Sequence, residues 1–201
     1  LCDALTPLTT IRRYAALRVA HPQSVVEHSY FVAVIAGRFA KELDALGVAV
    51  NRGLLVEMAL HHDVGEAVMG DISHVVKRSD QELNRLWEHL EGRYAARLCD
   101  AIGVPSGECA TRLEHALVAL ADLVEILCYA RQEIVAGNRY METITARVVQ
   151  ILSDRGPQWF ADSVPEVRGW FDTMLDRVCR ALKDAPRYPD DELFERGQHW
   201  K

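Results

Sequence analysis

Residues 61–71 of the chain read HHDVGEAVMGD, and they follow the apolar run LLVEMAL of residues 54–60. Ionisable side chains therefore stand at the edge of a segment that is expected to be buried. A buried ionisable group has to be paired, neutralised or bound to a metal, because an unpaired buried charge is costly. The adjacent His62 and Asp63 offer an imidazole nitrogen and a carboxylate oxygen, which suit zinc, cobalt, iron or manganese. Glu66 returns to the same face if the helix continues. This stretch is where we expect the chemistry.

The composition indicates one globular domain. The 201 residues are 49% hydrophobic and 26% charged, and this length fits a single domain with a sizeable core. The net charge of -6 argues against a general affinity for duplex nucleic acid or an anionic membrane. Five widely spread cysteines form no Cys-x-x-Cys pair, and neither a leader nor a membrane span is apparent. We therefore expect a cytoplasmic protein.

Helical periodicity dominates the chain, and strand patterns are scarce. Ser24 and Glu27 have the spacing of a capping box, which predicts a helix that ends near Gly47. Asn51 is the predicted cap of the next helix, and Ser79 is the predicted cap of a later one. Together these patterns predict an all-α bundle of roughly six to eight helices with short connections.

The second half of the chain continues the helical pattern. Its longest stretch covers residues 108–136, and two further helices are predicted on either side of a break at Gly156 and Pro157. We expect a single domain over residues 1–201. Its predicted parts are a motif-bearing core at about 12–138, C-terminal helices at 139–185 and an irregular tail at 186–201.

Two residues outside the central stretch are candidate metal ligands. His28 lies in the first turn of its helix, where the helix dipole favours the neutral, metal-binding imidazole; taken alone, a partly exposed histidine at a helix start is the favoured interpretation. Asp122 lies within ALVALADLV, residues 116–124. An aspartate inside an apolar helix needs a metal, an arginine or a set of donors. Glu125, one turn later, could simply turn to solvent.

Taken together, these motifs resemble the HD-domain metal-dependent phosphohydrolases, most closely the bacterial 5′-deoxynucleotidases. The resemblance runs from about residue 12 to residue 138, some two thirds of the chain. Its features, in chain order, are Arg13 followed by an aromatic residue, SVVEHS at residues 24–29, His62-Asp63 with Glu66, Gly70-Asp71-Ile72 with Lys77, and LAD at residues 120–122.

The resemblance implies an HD-domain fold with one divalent metal ion. Its implied ligands are His28, His62, Asp63 and Asp122, which would neutralise a dication and leave positions open for water and a phosphate oxygen. His61 is then not a ligand, because the family pattern puts the ligand histidine directly before the aspartate. Cobalt, zinc and manganese are the favoured ions, with magnesium as a further candidate.

The resemblance also assigns roles to residues around the metal ion. Glu66 matches the general acid/base, and Asp71 matches a second catalytic acid that orients water. Arg13 would bind phosphate or sugar, and Tyr14 would bound the base where close relatives tend to carry tryptophan. The remaining substrate contacts are Ser73, His74 and Lys77, with His74 standing where a small hydroxyl residue is usual.

The expected reaction is hydrolysis of a deoxyribonucleoside 5′-monophosphate to nucleoside and phosphate. One alternative is release of tripolyphosphate from a deoxynucleoside triphosphate at the same site. The other is a metal-binding or nucleotide-binding module without turnover, against which the presence of both Glu66 and Asp71 argues. The family resemblance further suggests a homodimer.

Overall fold

The computed structural model describes residues 2–72, 80–104 and 110–183. Within these ranges the chain is helical and forms no strand, so the all-α prediction is confirmed. Three of the helices are single turns, and none of the described helices is long and apolar enough to cross a membrane. The helices are α1 (Cys2–Leu5), α2 (Pro7–Thr10), α3 (Val25–Asp44), α4 (Arg52–His61), α5 (Glu66–Met69), α6 (Gln81–Ile102), α7 (Arg112–Val135), α8 (Tyr140–Trp159) and α9 (Pro165–Lys183).

Local side-chain caps fix where the long helices begin. Ser24 and Glu27 form the predicted capping box at the start of α3, and Asn51 caps α4 through a bond from the backbone N–H of Leu54. The prediction that Ser79 caps α6 is wrong. Asp80 is the N-cap, because its carboxylate accepts bonds from two backbone N–H groups of the first turn.

The predicted helix break at Gly156 and Pro157 is also wrong. α8 continues through both residues and ends at Trp159. Gly156 is buried against α9, where a Cβ atom would overlap the ring of Phe171. The glycine therefore permits close packing of two helices, and the proline is accommodated in the final turn of α8.

The core lies where α3, α4 and α7 pack against one another, with α8 and α9 beyond α7. Leu43, Leu55, Leu117 and Leu152 are fully buried there, one from each of α3, α4, α7 and α8. Burial of a leucine side chain contributes about 1.5–3 kcal/mol, so this packing holds the helices in a fixed relation. The start of α3, the end of α4 and the middle of α7 meet as a result.

The segment between α2 and α3 folds back on itself. After α2 the chain runs without a helix to Ser24 and pairs with itself, since the N–H of Arg13 donates to the carbonyl of Gln23 at 2.9 Å. Tyr14 has a φ of 58°, in the left-handed region that non-glycine residues rarely adopt. This strained turn carries Arg13 to Asp63, just after α4, and Tyr14 to Tyr129 of α7.

Candidate functional site

Four side chains predicted as metal ligands meet at one point. His28 comes from the first turn of α3, His62 and Asp63 follow α4, and Asp122 lies midway along α7. The Nε2 atom of His28 is 3.3 Å from His62 Nε2 and 3.1 Å from Asp122 Oδ1. Asp63 Oδ2 lies 3.6 Å from His28 Nε2 and 3.3 Å from His62 Nε2. His28, His62 and Asp122 thus have possible ligand atoms within 4.8 Å of one another, and Asp63 adjoins this group through its contacts with both histidines.

The other ring nitrogen of each histidine is already engaged. His62 Nδ1 is 2.8 Å from the carbonyl oxygen of Ala59, and His28 Nδ1 is 2.6 Å from Glu125 Oε2. A carbonyl and a carboxylate only accept hydrogen bonds, so each Nδ1 carries the proton in the neutral ring. The two Nε2 lone pairs therefore face each other and the two carboxylates. Such a group of donors requires a cation or a shared proton between them.

The cluster is buried, which makes its unpaired polar atoms more costly. His28 is completely buried, and Asp122 Oδ1 is buried with no hydrogen-bond partner among the described residues. Burial by itself would lower the pKa of His28, but its contacts with Asp122 and Glu125 outweigh that effect and raise the pKa to about 9. Burial would raise the pKa of Asp122, whereas His28 and nearby positive charge hold it below its ordinary value. The pocket therefore favours positive charge, and its donor set fits a divalent metal ion.

Arg13 reaches this cluster from the segment before α3. Its Nη1 donates to Asp63 Oδ2 at 2.9 Å, and only 11% of its side chain is exposed. Burial would lower the pKa of Arg13, but the charges of Asp63 and Asp122 outweigh it and raise the pKa. The Nε donor of Arg13 has no hydrogen-bond partner among the described residues. A permanent cation with an unused donor therefore borders the candidate metal position.

Glu66 lies on the other side of Asp63, at the start of α5. It is 4% exposed. The carboxylates of Glu66, Asp63 and Glu91 have oxygen atoms within 4.8 Å of one another. Burial, assisted by the charges of Asp63 and Asp71, raises the pKa of Glu66 to about 8. Gly65 permits the approach of α6, since a Cβ atom there would lie 2.7 Å from the carbonyl oxygen of Glu91. Sequence reasoning missed Glu91, which has no motif around it.

Tyr14 is adjacent to Arg13 in space as well as in sequence. Its ring stacks on Tyr129 of α7, with centroids 5.3 Å apart and planes within 4°. The guanidinium carbon of Arg13 lies 5.9 Å from the centroid of the Tyr14 ring. Asp71 acts electrostatically on both Glu66 and Arg13 and so belongs to the same region. Of the other predicted substrate contacts, Ser73, His74 and Lys77 lie outside the described residues, as does the predicted tail at 186–201.

The interpretation that Glu125 turns to solvent is wrong. Glu125 is 3% exposed, and it joins His28 to Gln23, whose side-chain amide donates to Glu125 Oε1 at 2.7 Å. The spacing carried a usable signal, because Asp122, Glu125 and Tyr129 recur at i, i+3 and i+7 and so share one face of α7. His61, predicted not to be a ligand, bonds through Nδ1 to the carbonyl of Glu57.

Comparison with known protein families gives one extended match. A family model described as 5′-deoxynucleotidase YfbR-like matches residues 1–177. Among individual proteins, 5′-deoxynucleotidase YfbR from Escherichia coli O127:H6 is 26% identical over 164 residues, which cover 77% of this chain and 82% of that protein.

Solved structures share the fold. An HD-domain phosphohydrolase from Listeria innocua superimposes with a TM-score of 0.59 at 25% identity, covering 90% of this chain and 96% of that one. The HD phosphohydrolase DatZ of cyanophage S-2L, bound to dA and one catalytic Zn²⁺ ion, superimposes with a TM-score of 0.63 at 16% identity. That match covers 92% of this chain and 98% of the phage chain.

Proposed function

The chain belongs to the YfbR-like 5′-deoxynucleotidase family of HD-domain phosphohydrolases, and from this premise we propose that it hydrolyses deoxyribonucleoside 5′-monophosphates to nucleoside and inorganic phosphate. The observation that carries the proposal is that His28 Nε2 lies 3.1–3.6 Å from His62 Nε2, Asp63 Oδ2 and Asp122 Oδ1. Both imidazoles are held with their lone pairs turned to the same position. This arrangement is unfavourable unless a cation or a shared proton occupies that position.

We propose these four residues as the ligands of one divalent metal ion. Two neutral imidazoles and two carboxylates balance the charge of a dication and match the donors preferred by zinc, cobalt and manganese, whereas magnesium prefers oxygen donors. The Zn²⁺ ion reported for the cyanophage phosphohydrolase supports zinc as the first ion to test. A metal ion bound there supplies Lewis-acid chemistry and lowers the pKa of water.

Arg13 is the proposed phosphate-binding group. It borders the proposed metal position, remains cationic and has a free Nε donor. A guanidinium presents five donors in a planar fork, so Arg13 can hold a phosphate oxygen while it keeps its bond to Asp63. Arg13 thereby orients the phosphate relative to the ligand cluster and balances part of its charge.

Glu66 is the proposed general acid/base. Its raised pKa lets the carboxyl group hold a proton near neutral pH and give that proton to the leaving 5′-oxygen. Asp71, whose charge acts on Glu66, is the proposed second acid that orients the attacking water. Proton transfer by a positioned group contributes about 10²–10⁴-fold to the rate, so Glu66 is expected to carry a large share of catalysis.

We place the nucleoside next to Tyr14. The aromatic stack of Tyr14 on Tyr129, beside Arg13, offers an apolar and polarisable surface that suits a base or a sugar. Ser73, His74 and Lys77 remain proposed substrate contacts on the basis of the family resemblance alone.

A product assay tests the proposed reaction. Metal-stripped protein receives zinc, cobalt, manganese or magnesium separately and is offered dAMP, AMP and dATP. We expect inorganic phosphate from dAMP, with less from AMP. Tripolyphosphate from dATP with dAMP untouched would replace the proposal with a triphosphohydrolase, and nucleotide binding without any product would replace it with a binding module. In the same assay a Glu66→Gln variant tests the proposed acid/base. Glu57→Gln, at an exposed residue of α4, is its matched control.

We also propose that the protein forms a homodimer through α3. Val26, Tyr30, Phe31 and Val34 share one face of that helix, and each is 42–58% exposed. A contiguous apolar face of this kind favours association, and a second copy offers a matching apolar face. Mass measurement in solution should give twice the chain mass, with Tyr30→Glu shifting the protein to the monomer. The matched control Val164→Glu, at an exposed residue outside α3, should leave the mass unchanged.

A cytoplasmic location is the remaining proposal. It is supported by the described cysteines Cys99, Cys128 and Cys179, which are all free thiols. Fractionation of the producing cell, with antibody detection, tests it, and recovery from an oxidising compartment would contradict it.

A further inference from the structure

Glu125 occupies a position that no catalytic or ligand role requires. It lies on α7, one turn after Asp122, and only 3% of its surface is exposed. A buried carboxylate is costly unless both of its oxygens find donors. Here Oε2 lies 2.6 Å from His28 Nδ1, and Oε1 accepts from the side-chain amide of Gln23 at 2.7 Å. The carboxylate is thus held at both ends by buried partners.

Gln23 is itself fixed in place. Its backbone carbonyl accepts a hydrogen bond from the N–H of Arg13 at 2.9 Å, and only 7% of the residue is exposed. The bond from Gln23 occupies one oxygen of Glu125 and prevents the carboxylate from rotating away from His28. The imidazole of His28 therefore has one fixed partner on its Nδ1 side.

We propose that Glu125, held by Gln23, is a positioning residue that sets the tautomer and the orientation of His28 for metal binding. A proton kept on Nδ1 leaves the Nε2 lone pair available, and a carboxylate bonded to that proton makes Nε2 a stronger donor. The inference rests on the proposed function, because it assigns His28 as a ligand. It adds a residue that contacts neither the metal position nor the substrate.

The expected size of the effect follows from comparable metal sites. Loss of the carboxylate that orients a ligand histidine raises the dissociation constant of the metal by about 10–100-fold. Glu125→Ala removes both hydrogen bonds and leaves His28 free to take the other tautomer. Glu125→Gln keeps an oxygen for His28 Nδ1, and its amide can donate to Gln23 Oε1, which has no partner among the described residues. The glutamine variant should therefore recover most of the affinity.

The matched control is Glu114→Gln. Glu114 is also buried on α7, but its carboxylate accepts bonds from the backbone N–H groups of Asn51 and Thr111, away from the ligand cluster. Its substitution tests whether any buried glutamate of this helix influences metal binding through stability alone. We expect Glu114→Gln to lower the melting temperature of the metal-free protein and to leave the dissociation constant of the metal unchanged.

The experiment measures binding of Zn²⁺ alone to full-length protein, by competition with a chromophoric chelator. Nitrogen-15 spectra of the histidine rings report the tautomer of His28 separately. The proposal predicts weaker binding and loss of the Nδ1-protonated signal in Glu125→Ala, with both recovered in Glu125→Gln. Unchanged affinity in Glu125→Ala, or an equal loss in Glu125→Gln, would overturn it.

The wild-type protein separates the two levels of inference. If it binds no divalent ion, the proposed function and this positioning role fail together. If it binds Zn²⁺ tightly and Glu125→Ala binds it equally well, only the positioning role fails. Should Glu125→Ala not fold, the Glu125→Gln variant and the ring spectra still decide, because an unprotonated His28 Nδ1 in the zinc-bound wild-type protein contradicts the proposed tautomer.

Discussion

Removal of the Asp122 carboxylate should remove most of the stability that the folded protein gains from a bound metal ion. Asp122 Oδ1 is buried without a hydrogen-bond partner among the described residues and lies 3.1 Å from His28 Nε2. Asp122→Asn keeps the shape of the side chain and removes its charge. A metal ion that binds only the folded protein stabilises it by RT ln(1 + [L]/Kd), so a weaker site gives a smaller gain.

The magnitude follows from that relation. At a free metal concentration of about 100 Kd the wild-type protein gains about 2.7 kcal/mol, which raises the melting temperature by about 5–11 °C for a chain of this size. Loss of an orienting partner weakens metal binding by up to about 100-fold, and loss of one of four ligands should weaken it by at least that much. At the same metal concentration the Asp122→Asn gain is then about 0.4 kcal/mol, or about 1–2 °C.

The assay is thermal unfolding with a chelator and with excess Zn²⁺, compared within each protein. The difference between the two conditions cancels any effect of the substitution on the metal-free protein. Asp172→Asn, at an exposed residue of α9, is the matched control and should keep the wild-type difference. If Asp122→Asn gains as much from Zn²⁺ as the wild type, Asp122 is not a ligand and the reasoning from its buried oxygen is refuted.

Three further predictions test other parts of the argument. Glu66→Gln should lower kcat by about 10²–10⁴-fold with near-native Zn²⁺ affinity, and unchanged turnover in a phosphate-release assay would exclude Glu66 as the acid/base. Burial would raise the pKa of Glu42, but hydrogen bonds led by that from Arg177 lower it to about 2. Its stabilising effect is therefore complete above its unfolded pKa of about 4.5 and is lost as pH falls towards 2, so Glu42→Gln should cost stability near neutral pH and little near pH 2 in denaturant titrations. Gly156→Ala should destabilise by about 1–3 kcal/mol through overlap with Phe171, and an unchanged urea midpoint would show that α8 and α9 can separate.

Much of the fold was predictable because the signals are local. The capping box of Ser24 and Glu27 acts within one turn, and so does the bond from Asn51, so both helix starts could be inferred correctly. The error at Ser79 was equally local, since the adjacent Asp80 is the N-cap and the two residue types are about equally favoured at that position. The error at Gly156 was of another kind, because the glycine serves a contact with a helix that follows it in the chain.

The site divides in the same way. The family resemblance placed His28, His62, Asp63 and Asp122 in one candidate set, and the packing of α3, α4 and α7 brings their Nε2 and Oδ atoms close to one another. The spacing puts Glu125 on the face of α7 that carries Asp122, but it does not name the groups that Glu125 bonds. Its partners lie 97 and 102 positions away, and an acidic residue on an apolar helix is as readily solvated as buried until those partners are known.

The sequence by itself determined the helical class, the caps of α3 and α4 and the residue types able to hold a metal ion. Periodicity, capping and donor chemistry act over one or two turns of helix. Only the tertiary structure decided which group each histidine Nδ1 contacts, the burial of Glu125, the approach of Glu91 to Glu66 and the pairing of Arg13 with Asp63. Each of these depends on which helices pack together and at what distance. Hydrogen bonding and desolvation vary over an ångström, and the linear spacing of residues does not specify distances at that scale.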